Sequence, residues 1–401
     1  MRHFSARPRE FAFARSFGPA PSRLYRVADP SPRQPRRAPT PAASRTAFSR
    51  ATPTRKMSVE SLRAELMDQS LDMPRRFRAL FALRSVGGDA SVSALLDSLR
   101  DPSALFKHEV AFALGQMQAT GAVETLKAML RDESEHSMVR HEAAEALGAI
   151  ASDECLEALE TASEDSSQVV RETAVLALQR FRYAQAKRRD AEAKNARADA
   201  KAPSSSPSAR PDERAGSAKE QLSASTNGHQ QSLDEPDSPY ISVDPVPAAP
   251  SDVPTNALRT TLLDESASLW DRYGAMFALR NRGDPCDVAK ALGSVLTHST
   301  SALLKHEVCY VLGQIQEKGD GARAALRATL ENQNEHPMVR HEAAEAIGSI
   351  AADDTEALLL KFRHDNDRIV AESCEVALDI MQSEISGEFV PLVVEPPRAA
   401  A

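Results

Sequence analysis

Apolar and polar residues recur with a helical period between residues 58 and 182, and again between residues 255 and 385. In segments such as AVETLKAMLRD and RHEAAEALGAI, leucine or isoleucine and alanine recur at positions i, i+3 and i+4. This spacing places the apolar side chains on one face of an α-helix. Alanine, leucine, glutamate and lysine also favour helix. Because no strand-like alternation competes with this pattern, it predicts an all-α protein.

The helical segments are copies of a short unit. Each unit combines an outer helix, a turn and an alanine-rich inner helix. The aligned leucine or isoleucine positions are 83, 114, 147 and 178, then 279, 312, 347 and 378, which gives periods of 31 to 35 residues. Such periods with helical patterning indicate an α-solenoid. The inner helices share a register position where a missing side chain allows close packing: Gly115, Gly148, Gly313 and Gly348.

The units fall into two duplicated halves. SALFKHEVAFALGQMQ at 103–118 returns as SALLKHEVCYVLGQIQ at 301–316, and ESEHSMVRHEAAEALGAIA at 133–151 returns as QNEHPMVRHEAAEAIGSIA at 333–351. Four units per half exceed the roughly three that a solenoid needs for stability. We therefore expect eight helix pairs in two halves that face each other.

Composition sets the boundaries of these halves. Residues 1–56 are rich in Arg, Pro, Ser and Ala, which is typical of a transit peptide or a disordered extension, and Met57 is an alternative start. The charged, Ser- and Pro-rich stretch 183–253 is predicted to be a disordered linker. The predicted halves are 57–182 and 254–390, with a tail at 391–401.

Charge is distributed unevenly along the chain. The formal net charge is −8, but residues 1–56 carry twelve Arg, one Lys and two acidic residues, or +11, which leaves −19 for the remainder. An acidic body repels nucleic acid and suits a basic partner or a metal cation. No apolar run approaches the roughly 18 residues of a membrane span. The four cysteines form no CxxC pair, which argues against a thiolate zinc site or a disulfide framework and fits a reducing compartment.

The two central units of each half carry the dipeptide His-Glu, whereas the outer units carry other residues at the same register. The solenoid itself therefore does not require His-Glu. Equivalent side chains on stacked inner helices point into one space, so facing halves would bring four imidazoles and four carboxylates together. The dipeptides are His108-Glu109, His141-Glu142, His306-Glu307 and His341-Glu342.

Converging carboxylates repel one another unless some are protonated or a cation lies between them. The candidate ligands are nitrogen and oxygen atoms, which favours Fe or Mn over structural zinc. Two His and one Glu per half would form a 2-His-1-carboxylate set, and two such sets facing each other predict a dinuclear centre. The metalloprotease motif H-E-x-x-H is absent, because Glu145 and Glu345 occupy its last position.

In its repeats and in the KHE and RHE motifs of the central units, the sequence resembles the deoxyhypusine hydroxylases, which are HEAT-repeat di-iron monooxygenases. The resemblance implies two Fe²⁺ ions and O₂ as co-substrate. It also implies hydroxylation of the deoxyhypusine side chain of eukaryotic translation initiation factor 5A to hypusine. By position it implies metal ligation by His108, His141 and Glu142 and by His306, His341 and Glu342, and substrate binding by Glu109 and Glu307.

We further expect a cytoplasmic monomer, although the Arg-rich head leaves organelle targeting open. The acidic body and the lack of a long apolar run predict no binding to nucleic acid or membrane. The sequence leaves three roles open for Glu145 and Glu345: they are exposed to solvent, support the neighbouring histidine or bind the metal directly. Glu135-His136 and Glu335-His336 would line the entrance of the site, contact the basic substrate or lie on the loop surface. The alternatives to the enzyme are a non-catalytic HEAT-repeat scaffold that binds a basic protein and a bilin lyase-like HEAT protein.

Overall fold

The computed structural model describes residues 56–201, 238–240, 242–386 and 393–394. Over these ranges the chain is an all-helical solenoid of eight helix pairs, as the repeats predict, apart from two-residue strands β1 (Lys56–Met57) and β2 (Val393–Val394), which pair in parallel. The first half contains α1 (Val59–Met67), α2 (Met73–Val86), α3 (Gly88–Ser98), α4 (Ala104–Gln116), α5 (Val123–Arg131), α6 (Ser137–Ile150), α7 (Leu156–Ala162) and α8 (Gln168–Lys201). The second half contains α9 (Thr255–Leu263), α10 (Leu269–Arg282), α11 (Pro285–His298), α12 (Ala302–Ile315), α13 (Asp320–Glu331), α14 (Pro337–Ile350), α15 (Thr355–Phe362) and α16 (Arg368–Ser386).

The even-numbered inner helices of each half stack against one another and carry most of the buried apolar side chains. Glycine permits this close approach. A Cβ atom built on Gly148 would lie 2.7 Å from Ala177 Cβ, and one built on Gly115 would lie 2.8 Å from Ala146 Cα. The shared glycine register of the inner helices therefore sets how closely neighbouring repeats pack.

A buried arginine joins successive repeats. Arg140 Nε donates to the carbonyl of Leu130 at the end of α5 at 3.0 Å, and its guanidinium pairs with Asp165 in the next turn. Because Arg140 directly precedes His141, this arrangement also fixes the rotation of the inner helix near the histidine. The same pattern recurs at Arg76 with Leu66 and Asp101, and at Arg340 with Leu330 and Asp365.

The two halves contact each other through a pair of equivalent hydrogen bonds. Ser103 Oγ donates to Glu372 Oε2 at 2.6 Å, and Ser301 Oγ donates to Glu172 Oε2 at 3.0 Å. Each serine caps the helix that carries a His-Glu pair, and each glutamate belongs to the last repeat of the other half. We refer to these two bonds as the half-to-half clasp.

The prediction of a disordered linker over residues 183–253 is wrong at both of its ends. Helix α8 continues to Lys201, and Val243 hydrogen bonds through both its N–H and its carbonyl. Polar composition did not reveal the order around Val243, because its contacts come from a distant helix. The middle of the predicted linker, residues 202–237, and residues 1–55 of the predicted extension 1–56 lie outside the described residues.

Within the described part of the chain, no helix is both long enough and apolar enough to cross a membrane.

Candidate metal centre

Each His-Glu pair has the same position in its helix. The four histidines are the fifth residues of α4, α6, α12 and α14, and a side-chain cap lies five residues before each of them. Ser103 accepts from the Phe106 N–H at 3.1 Å, and His136 Nδ1 accepts from the Met138 N–H at 3.2 Å. Ser301 and His336 cap the two equivalent helices. The caps therefore place the four histidines at the same distance from the starts of their helices.

These caps show the role of Glu135-His136 and Glu335-His336, which the sequence left open. His136 and His336 start the RHE helices, while the preceding Glu135 pairs with Lys107 and Glu335 pairs with Lys305. The side chains that were expected to line an entrance or to lie on the loop surface therefore hold helix ends in place.

The two halves bring all four imidazoles into one buried cluster. The ring centroids of His108 lie 5.5 Å from His141, 5.9 Å from His306 and 5.3 Å from His341. The centroids of His306 and His341 are 5.3 Å apart. No more than 5% of any of these histidines is exposed. The convergence expected from the shared register is therefore present.

Carboxylates reach the same space. Glu142 Oε2 lies 3.0 Å from His108 Nε2 and 3.7 Å from His141 Nε2. In the second half, Glu342 Oε2 lies 3.4 Å from His306 Nε2. The arrangement thus brings both sets of three residues together, each with one buried glutamate between histidines.

Among the described residues, three groups of ligand atoms have spacings that would suit a metal ion, with all atoms of a group within 4.8 Å of one another. One group is a complete ligand set expected from the sequence. A second combines two histidines of the other expected set with His306, and the third combines two residues of that other set with Glu145. The groups are His306, His341 and Glu342; His108, His141 and His306; and His141, Glu142 and Glu145.

The electrostatics of the cluster fit a cation. Burial opposes the charged form of His108, but the carboxylates of Glu142 and Glu109 raise the pKa of its imidazole to about 10. Burial and the carboxylates of Glu145 and Asp244 raise the pKa of Glu307 well above its usual range. Buried nitrogen and oxygen donors beside crowded carboxylates are the chemistry of a metal site, so the residues fit a bound metal.

Further side chains orient the histidine rings. Thr173 Oγ1 donates to the carbonyl of Val169 at 2.8 Å and lies 3.4 Å from His141 Nδ1. Glu345 Oε1 lies 3.5 Å from His341 Nδ1, also on the ring edge away from Nε2. Such outer contacts fix the orientation and tautomer of metal-binding histidines. The sequence contains one signal for this role of Thr173. In the last repeat of the first half, Glu172-Thr173 occupies the two positions that His-Glu occupies in the central repeats.

A small cavity of about 20 Å³, partly open to solvent, adjoins the cluster. Its wall includes side chains from both halves and a short piece of the predicted linker. The lining residues are Phe112, Gln116, Glu142, Glu145, His306, Glu307, Tyr310 and the segment Ser242, Val243, Asp244 and Pro245.

Comparison with known proteins agrees with this architecture. Residues 92–179 and 289–379 match the HEAT repeat family. The chain is 42% identical to the deoxyhypusine hydroxylase of Danio rerio over 81% of this chain and 92% of that protein. It is 40% identical to the Homo sapiens deoxyhypusine hydroxylase over 82% of this chain and 93% of that protein.

The solved structure of human deoxyhypusine hydroxylase in complex with glycerol matches with a TM-score of 0.66 and 40% identity. The match covers 81% of this chain and 96% of that one. These similarities confirm the enzyme prediction over the scaffold alternative, and the His/Glu groups fit metal binding in that family. The chain therefore belongs to the deoxyhypusine hydroxylase family.

Proposed function

We propose that the chain uses two iron ions and O₂ to hydroxylate the deoxyhypusine side chain of eukaryotic translation initiation factor 5A. The observation that supports this most strongly is the buried cluster of four imidazoles, two from each half, with Glu142 and Glu342 among them. A surface scaffold has no physical reason to bury four histidines beside carboxylates, because unpaired burial of such groups costs free energy.

The proposed ligands are His108, His141 and Glu142 for one ion, and His306, His341 and Glu342 for the other. The short distances from Glu142 to both histidines of its half support the first set, and the compact group of donor atoms supports the second. When bound, the iron ions supply the activation of molecular oxygen that attack on an unactivated C–H bond requires.

The surrounding residues control where the protons of the histidines lie. Because the Thr173 hydroxyl donates to Val169, its oxygen accepts the proton on His141 Nδ1. His141 Nε2 is then the ring nitrogen that lacks a proton and can bind a metal. Glu345 is positioned to act in the same way on His341.

Glu109 and Glu307 are proposed to hold the substrate. Deoxyhypusine is a lysine extended by an aminobutyl group, so its side chain is a long cation. Both glutamates follow a proposed ligand directly and are at most 4% exposed. Burial opposes the ionised form of such a carboxyl group, and an approaching ammonium group favours it, so the resulting ion pair orients the chain beside the metal centre.

Turnover by purified protein tests this proposal. We expect about two irons per chain after expression with sufficient iron and hydroxylation of the deoxyhypusine form of the factor, with ¹⁸O from ¹⁸O₂ in the product. The matched His341→Ala variant, which loses one proposed ligand, should hold less iron and lose turnover. An iron-loaded wild-type protein that does not modify this substrate would disprove the proposal.

A further inference from the structure

Residues 242–247, which we call the strap, cross the gap between the two halves. On the first half, the Val243 N–H donates to Gln116 Oε1 at 2.8 Å, and Gln116 Nε2 donates to the Val243 carbonyl at 3.1 Å. Arg180 also donates to the carbonyl of Asp244. The main chain of the strap is thus held by side chains of two inner helices, α4 and α8.

The second half holds the side chains of the strap. Arg280 donates to both carboxylate oxygens of Asp244, at 3.0 and 2.5 Å, and Gln314 Nε2 donates to Ser242 Oγ at 3.3 Å. Arg280 is 5% exposed, and Val246 is completely buried. A buried bidentate ion pair has a defined geometry, so the strap is fixed relative to α10 and α12.

The strap also forms a wall of the cavity beside the metal centre. Ser242–Pro245 line this cavity together with Glu145, Glu307 and the proposed ligand His306. A substrate side chain that reaches His306 through this cavity therefore passes the strap and the two glutamates.

The strap makes the duplicated site unequal on its two sides. Gln116 and Gln314 are equivalent residues of the two halves, and both bind the strap. Glu145 is partly exposed and lines the cavity, whereas its equivalent Glu345 is 5% exposed and lies against His341. Of the two equivalent glutamates, the one beside the strap is accessible.

We propose that the strap and Glu145 determine specificity by forming the passage for a side chain that carries two amines, with Glu145 adding a third carboxylate, at the passage, to the substrate-binding pair Glu109 and Glu307. This inference rests on the proposed function, because deoxyhypusine has a secondary and a primary amine four carbons apart. Asp244 is already paired with Arg280, so its role is to hold the wall in position. Glu145 lies on α6 and Glu307 lies on α12. Carboxylates on two different helices can bind two amines that are separated along the substrate side chain.

Two variants and a matched control test the inference. Asp244→Ala removes the anchor of the strap, and Glu145→Gln removes one charge from the cavity. Arg282→Ala is the control, because Arg282 holds the same linker at the carbonyls of Ser251 and Val253, away from the cavity. All three proteins should be compared with wild type for iron content and thermal unfolding.

The binding probe is spermidine, which has a secondary amine four carbons from a primary one, measured by calorimetry on iron-loaded protein without oxygen. We expect Asp244→Ala and Glu145→Gln to weaken binding by at least about tenfold and to raise KM for the protein substrate, with iron content unchanged. Arg282→Ala should bind spermidine as wild type does.

The inference is wrong if wild type hydroxylates its substrate while all variants bind spermidine equally well. It is also wrong for Glu145 if Glu145→Gln loses iron, because that result makes Glu145 a metal ligand. Failure of wild type to turn over the substrate would instead count against the proposed function. Because Glu145→Gln leaves the hydrogen bonds of Val243 and Asp244 in place, it remains informative if Asp244→Ala does not fold.

Discussion

Thr173 shows how one hydroxyl group can select the tautomer of a histidine. Its proton is donated within α8, so its oxygen is left to accept from His141 Nδ1. The sequence predicted the histidines and glutamates of the centre, because they repeat at one register. It did not predict Thr173, because that contact depends on the distance between α6 and α8, which no local pattern encodes.

Replacement of Thr173 by Val should weaken iron binding by about tenfold, because the variant keeps the shape but loses the acceptor for His141 Nδ1–H. The measurement is iron retention during titration with a chelator. Thr297→Val is the control, since Thr297 makes the same hydrogen bond to a carbonyl four residues earlier in a helix away from the centre. Equal iron retention in the two variants would contradict the positioning role.

Glu265 gives a pH prediction outside the metal centre. Burial favours its neutral form, but hydrogen bonds from Arg272 and Thr300 lower its pKa from 4.5 to about 2. A lowered pKa in the folded state stabilises the protein above the unfolded pKa, and this contribution disappears as pH falls.

The difference in unfolding free energy between wild type and Glu265→Gln should therefore be constant above about pH 5.5 and shrink between about pH 4.5 and 2. Urea unfolding across this range measures the difference. A difference that stays constant down to pH 2 would show that the carboxylate is not responsible. Glu356→Gln, a change on the surface of α15, is a suitable control.

At the scale of the helix, tight stacking of inner helices depends on glycine. The sequence showed the shared glycine register and the eight helix pairs, since both follow from periodicity. It misplaced the end of α8 and missed the strap, because alanine-, serine- and proline-rich composition gives no signal of contacts with distant helices. The caps at His136 and His336 were also missed, since capping by an imidazole is less recognisable than capping by serine.

Gly148→Ala should lower the free energy of unfolding by about 1 to 3 kcal/mol, because the new methyl group would overlap Ala177. The intrinsic helix preference of alanine, about 1 kcal/mol, offsets only part of this cost. Chemical denaturation measures the change. Gly121→Ala provides the comparison, since nothing lies within 4 Å of a Cβ atom at that position; equal effects of the two substitutions would refute the steric explanation.

At the scale of the whole molecule, several separate devices hold the halves together. The half-to-half clasp joins the helix caps of one half to the last repeat of the other, and Arg78 pairs with Asp379 between the first and last repeats. The strap adds contacts to both halves. Duplication in the sequence predicted that the halves face each other, but not which side chains join them.

Removal of the metal should lower the thermal unfolding temperature, because ions that bind only the folded state stabilise it. Wild type should stay compact after chelation, since the clasp and the strap remain. The double variant Glu172→Ala and Glu372→Ala should instead expand when the metal is removed. Small-angle scattering with and without chelator distinguishes these results, and expansion of metal-free wild type would show that the protein contacts alone cannot hold the halves.

Each helix cap lies five residues before its histidine, and this constant interval limits how the sequences of the two duplicated halves can change during evolution. The two copies already differ in the segment between their central helices, where the aligned positions are 33 residues apart in one and 35 in the other. The position of each imidazole depends on where its own helix starts. Insertions or deletions in the outer turns therefore leave the ligand geometry intact. Loop length can therefore drift during evolution, whereas a single insertion between cap and histidine would rotate the ligand by about 100° and be eliminated by selection.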